Sequence, residues 1–228
     1  MTVLSVFQSA CRRLLAQEPQ TLFSTTGEAL QIKMKELIAE AALDIAKSHD
    51  WRDLTRLCKL PTDGSTGSFA LPDDYDRMPV KADVHSNVWS RVYQPASDMD
   101  DWIQLTQFMP ATIPGYWRIF SGQMHIIPSP ASGDSVSFGY ISAEIAKDTN
   151  GKGQSGFLAD SDVFALDERL LLLSVIWRWK AAEGLDYQED MANYERYLAQ
   201  LTAKDGGSNP IRSSRSNVSR MGIWGLAR

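Results

Sequence analysis

Gly151, Gly153 and Gly156 match G-x-G-x-x-G by letter, the pattern whose backbone N–H groups can cradle a pyrophosphate. The motif works only where a strand runs straight into it and a helix opens on its last glycine. Here the nearest strand pattern stops at Ser142 and F-L-A-D-S-D follows Gly156, so the expectation is a flexible loop over residues 147–156 and no cofactor. Lys152 is not followed by Ser or Thr, so a Walker loop fails as well. Asp73, Asp74 and Asp76 follow Pro72, and Asp160 and Asp162 precede an apolar run. Paired carboxylates can act as the acid and base of a glycosidase, or hold calcium. Neither group has the calcium-loop spacing with its distal Glu, and both fall at turns or helix starts, where Asp bonds local backbone. His49, His85 and His125 have no metal-ligand spacing, and no G-x-S-x-G elbow accompanies them. Cys11 and Cys58 lie far apart, which suits neither a disulfide framework nor a zinc site. The chain therefore reads as a non-enzyme without catalytic, cofactor or metal residues.

The elements that would position such residues run helices, strands, helices, tail. Val3, Phe7, Ala10, Cys11 and Leu14 recur at helical spacing and stop before Pro19. Thr25 and Glu28 have capping-box spacing, and Met34, Leu37, Ile38, Ala41 and Ile45 mark one face of a longer helix to about Ser48. Trp51 is placed to close that helix onto the core. Strand grammar follows: 55–60 and 68–71 flank the turn T-D-G-S-T-G, and 78–84 and 88–93 are expected to pair around a polar tip at 85–87. A short helix over 97–109 is expected, capped by Ser97, with Asp98, Asp100 and Asp101 at the positive end of its dipole. A hairpin over 116–120 and 124–127 turns on S-G-Q, and 135–142 alternates as a further strand.

The strongest packing signal comes next. Leu170, Leu171, Leu172, Leu173, Val175, Ile176, Trp177 and Trp179 leave almost no polar face, so this helix must be buried on several sides, in its own fold or against neighbouring subunits. Leu172, Ile176, Trp177 and Trp179 are the candidate subunit-packing residues. Gly184 suits a left-handed helix end, Asp186 and Glu189 have N-cap-like spacing, and Tyr187, Met191, Tyr194, Leu198 and Leu201 form one stripe. The fold class is α+β: mainly an α-helical bundle of N- and C-terminal helices, an inserted small β-sheet or sandwich, and an extended C-terminal tail. The units read as 1–54 (N-terminal helices), 55–146 (β-rich), 147–166 (loop), 167–204 (helical hairpin) and 205–228 (arm).

The sequence resembles the head-to-tail adaptor proteins of tailed bacteriophages. The likeness lies in L-L-L-L-S-V-I-W-R-W-K-A-A-E-G-L-D-Y-Q-E-D-M-A-N-Y-E of the hairpin, in H-D-W-R-D-L (49–54), in F-A-L-P-D-D-Y-D-R-M (69–78) and in Y-W-R-I-F-S-G-Q-M-H-I-I-P-S-P (116–130). It covers roughly residues 25–201. What the resemblance implies is a structural virion protein, a ring of usually twelve copies between the portal and the tail or nozzle. Its C-terminal segments would bind the portal protein, and its lumen would extend the DNA exit channel at the head–tail interface. A peptidoglycan-degrading tail-associated enzyme and a DNA-packaging or head-completion factor stand as alternatives.

Composition agrees with a structural role. The net charge of -5 disfavours a general nucleic-acid binder but not a ring through which genomic DNA passes without being gripped. No apolar stretch approaches the ~20 residues needed to span a bilayer, and the N-terminus lacks the basic region of a secretory signal; synthesis in the reducing host cytoplasm is expected. Beyond Asp205 there is no acid, while Arg212, Arg215, Arg220 and Arg228 are basic and Ile223, Trp224 and Leu226 are apolar. That pattern reads as an arm without a core of its own. Through the resemblance, Arg212, Arg215, Arg220, Ile223, Trp224 and Leu226 become the candidate portal-binding residues.

Overall fold

The computed structural model describes residues 2–23, 29–80, 82–88, 92–108 and 115–206. The Thr25–Glu28 cap, Trp89, and the arm from 207 onward lie outside them. Helix α1 (Val3–Leu15) is capped by the Thr2 hydroxyl and ends at Ala16 in the left-handed region. Helix α2 (Ala29–Ser48) buries Met34, Ile38, Ala41 and Ile45, close to the expected face. Trp51 does close it: the indole Nε1 donates to the Ile45 carbonyl at 2.8 Å. Helix α3 (Met99–Phe108) is followed at the far end of the chain by α4 (Glu168–Ala182) and α5 (Gln188–Asp205).

The strands are β1 (Thr55–Pro61), β2 (Ser68–Ala70), β3 (Tyr75–Arg77), β4 (Val84–Ser86), β5 (Val92–Pro95), β6 (Tyr116–Phe120), β7 (Gln123–Ile127) and β8 (Ser135–Ser142). They form one eight-stranded sheet in the order β1-β8-β4-β5-β6-β7-β2, with β3 also on β8. The architecture is thus α+β with a sheet larger than the small insertion expected. T-D-G-S-T-G is a turn, but the strands it joins do not pair: β1 pairs with β8, and β2 with β7. Those two strands end opposite sides of the order. A flat sheet would hold them about six strand spacings, or ~29 Å, apart, farther than the seven Cα steps from Pro61 to Ser68 can span at about 3.6 Å each. The sheet must therefore curl until its ends approach.

Three local expectations need correction. β4 and β5 pair as Val84↔Tyr93 and His85↔Val92, so His85 lies in a strand and not at a polar tip. The cap of α3 is Asp98, whose carboxylate accepts the Asp101 N–H at 2.7 Å while the Asp101 carboxylate accepts the Ser97 N–H at 2.9 Å. An acidic capping box there serves better than Ser97, because both carboxylates also face the helix dipole. The expected loop at 147–156 and its continuation contain a small sheet of β9 (Ala146–Lys147), β10 (Gly153–Gln154) and β11 (Val163–Phe164), with β9 central. The hairpin β6–β7 is as expected, turning on Ser121 and Gly122, both at positive φ (51° and 72°).

Two cores result. Helices α1, α2, α4 and α5 share one, with α4 against the other three; Leu54, Ile141 and Ile145 carry it to the end of β8. The second lies inside the curled sheet around Cys58, Val84, Tyr93, Met124, Ile126, Val136 and Phe138. Helix α4 needs cover on three sides because its apolar residues encircle it. The α4–α5 turn uses Gly184 at φ 69°, a conformation that a Cβ disfavours.

Candidate functional site

Each carboxylate cluster singled out by spacing serves local structure. Asp74 accepts the Tyr140 hydroxyl at 2.7 Å, and Asp76 pairs with Arg77 at 2.6 Å. Asp160 accepts the Leu22 and Phe23 N–H groups at 2.8 and 3.0 Å, fastening the segment after α1. Asp162, 2% exposed, accepts from the Leu158 and Ala159 N–H groups at 2.6 and 2.9 Å. Asp73 is exposed at a turn. A general acid or base must reach a substrate proton, and Asp74, Asp76, Asp160 and Asp162 face backbone or neighbouring side chains instead.

The thiols are held unreactive. Burial pushes Cys11 up to about 11, and burial followed by the Asp74 carboxylate raises Cys58. Neither is the thiolate that nucleophilic chemistry needs near neutral pH. The histidines are dispersed. His49 pairs with Asp205 at 3.2 Å, His85 lies exposed in β4, and His125 Nδ1 meets the Ser68 hydroxyl at 2.8 Å. Gly151 sits in a turn at φ 80°, Gly153 in β10, and the next helix starts only at Glu168. Among the described residues no group of three or more His, Cys, Asp or Glu is placed to hold a metal ion. None of their helices is long and apolar enough to cross a membrane.

The subunit-packing candidates divide. Ile176 and Trp179, 4% and 7% exposed, are buried within the chain itself. Leu172 and Trp177 are half-buried. Leu172 lines a groove of about 570 Å³ between α1 and the start of α4, with Val6, Arg13, Leu166 and Arg169. Trp177 lies tilted against the rings of Tyr187 and Tyr194, and its Nε1 is buried without a hydrogen-bond partner among the described residues. The six portal-binding candidates, Arg212, Arg215, Arg220, Ile223, Trp224 and Leu226, all lie outside the described residues. The root of that arm is placed: the Asp205 carboxylate takes the Arg52 N–H at 3.2 Å as well as His49, beside the start of β1.

Several structural residues escaped the sequence reading. Asp134, 4% exposed, accepts from the Ser86 hydroxyl and from the Asn87 and Ser135 N–H groups, tying β4 to β8. Asp167 caps α4 at Leu170 and also takes the Tyr197 hydroxyl of α5. Arg178 joins α4 to Glu40 and Asp44 of α2. Only Asp167 had a local signal, an Asp just ahead of an apolar helix. The others depend on partners far away in sequence.

Exposed apolar residues are spread over the described surface, among them Met99, Ile103 and Phe108 on α3, Leu57 on β1, and Ile32, Val80, Leu158 and Leu185. Surfaces of this kind suit contact with other proteins better than chemistry. No curated protein matches the chain. Residues 1–219 match the family model described as SU10 adaptor protein. A match of that span places the chain in the SU10 adaptor protein family, a family of bacteriophage structural adaptors.

Proposed function

We propose that the protein is a head-to-tail adaptor that assembles as a ring, of twelve copies by family resemblance, between the portal and the tail or nozzle of a virion. The observation that carries this reading is the adaptor-family match over residues 1–219. Charge distribution supports the division of labour. With the chain at -5 and four arginines but no acid beyond Asp205, the remainder carries -9. A body of that sign does not grip passing genomic DNA, while the basic arm is suited to an acidic surface on the portal. Leu172 and Trp177, half-buried on α4, are the packing candidates still within reach of a neighbour. Ordering an arm costs about 1–2 kcal/mol per residue of backbone entropy, so a single copy binds weakly and a ring gains by avidity.

The test is deletion of everything after Asp205. The truncated protein keeps its melting temperature and loses co-sedimentation with portal particles, and Trp224→Ala weakens that association more than any single arginine change. Negative-stain images of the full chain with portals show the ring. Undiminished portal binding by the truncated protein moves the docking surface onto the folded body.

A further inference from the structure

A ring closes through heterologous contacts, in which two different faces of each copy meet. Two faces here each carry exposed apolar side chains and are opposite in charge. The first is α3. It buries only Trp102, which packs edge-on against Phe120 and His125 of the β6–β7 hairpin. A ten-residue helix is marginal without packing. Yet Met99 and Ile103, one turn apart, are 42% and 47% exposed, and Phe108 at its end is 81% exposed. The charged residues of α3, Asp100 and Asp101, are both acidic.

The second face is the outer side of β1 and β8. β1 ends the sheet and is paired along one edge. Its outward row of Thr55, Leu57, Lys59 and Pro61 is exposed, with Leu57 at 65%. β1 carries Arg56 and Lys59 and no acid, and β8 carries no charge at all. Directly across from Leu57 stands Gly139. It is not among the glycines at positive φ, and a Cβ there would meet only the Arg56 carbonyl oxygen at 4.0 Å. Among the described residues nothing requires a glycine at that place. Within a strand, glycine weakens packing and often marks the close approach of another chain.

Resting on the ring reading, we propose that adjacent copies meet head to tail through these faces. The outer side of α3 in one copy, Met99, Asp100 and Ile103, lies over Gly139 and beside Leu57 of the next, and Asp100 faces Lys59. The bare strip at Gly139 admits the helix, and the helix supplies the apolar cover that Leu57 lacks. Opposite charge sets which faces pair.

Leu57→Cys and Ile103→Cys chains test the contact when purified separately, mixed and oxidised in whichever form assembles, free or on portal particles. The native Cys11 and Cys58 are buried. The mixture gives a covalent dimer, neither variant alone does, and the double variant gives a ladder ending at ring size. Gly139→Val, which suits a strand, leaves melting unchanged and weakens ring association in sedimentation velocity by about tenfold or more. Asp100→Lys weakens it likewise, and Lys59→Asp in the same chain restores it. Self-cross-linking of one single variant marks a two-fold contact and overturns the proposal. Normal rings from Gly139→Val with no cross-link in the mixture overturn this contact and leave the ring reading standing. A wild-type chain that forms no ring, free or with portals, overturns both.

Discussion

Leu171 and Leu172 are chemically identical neighbours on α4, and the structure assigns them different weights. Leu171 is 0% exposed in the core that α4 shares with α1, α2 and α5, whereas Leu172, about a quarter turn on, borders the 570 Å³ groove. Truncating a buried leucine costs the transfer of its lost methyls plus the cavity left behind. Full burial in a core shared by four helices leaves the Leu171 site little room to collapse, so Leu171→Ala falls in the upper part of the usual range, about 3–5 kcal/mol. The half-hydrated Leu172 loses less surface and leaves a dent that water fills, so Leu172→Ala costs about 1–2 kcal/mol. A chain of this size melts about 2–4 °C lower per kcal/mol. Thermal denaturation by circular dichroism therefore shows Leu171→Ala about 6–20 °C below wild type and Leu172→Ala less than about 8 °C below it. The difference matters because Leu172 is the one proposed to pack a neighbour: its variant folds and reports on assembly. Equal melting of the two variants would refute the placement of α4, since it would mean that both leucines meet the same surroundings.

Alkaline stability follows from Cys11. Burial raises its thiol from 9.0 to about 11, so the folded chain holds that proton more tightly than the unfolded one, and stability complete below pH 9 declines toward pH 11. The loss amounts to about 2–3 kcal/mol, and in urea titrations at several pH values Cys11→Ala removes it from the slope. Tyr93, raised to about 12 by burial and then Asp134, adds loss of the same sign above pH 10 in both proteins, so the difference curve isolates Cys11. Hydrolysis of cell wall, nucleotides and esters stays at background, because the carboxylates at Asp74, Asp76, Asp160 and Asp162 are committed to structural hydrogen bonds and ion pairs. Robust turnover abolished by changing Asp73, Asp74, Asp160 or Asp162 would refute that account.

Much of the local structure was legible in the chain. Pro19, the Ser121–Gly122 turn and Gly184 are signals whose physics acts within a few residues, through φ restriction or left-handed geometry. The misreadings have a common source in longer range. The strands around T-D-G-S-T-G are neighbours in the chain, yet β1 places Cys58 opposite Phe138 inside the curled sheet, and burying that pair outweighs the convenience of a near partner. The glycine-rich stretch after Lys147 lacks strand periodicity, and only β11, supplied from beyond Asp160, completes its small sheet. Nor does composition hint that Arg77 would reach the carbonyls of Ala46 and His49.

By itself the sequence determined the helices, the absence of a recognisable catalytic pattern and the opposite charge of body and arm, because each is a property of composition or of short-range periodicity. Tertiary structure alone decided the strand order, the division of the α4 apolar residues between core and surface, and the pairing of bare Gly139 with exposed Leu57. These depend on which distant segments exclude water together. Loop closure charges only slowly with length, so burial could select a far partner over a near one.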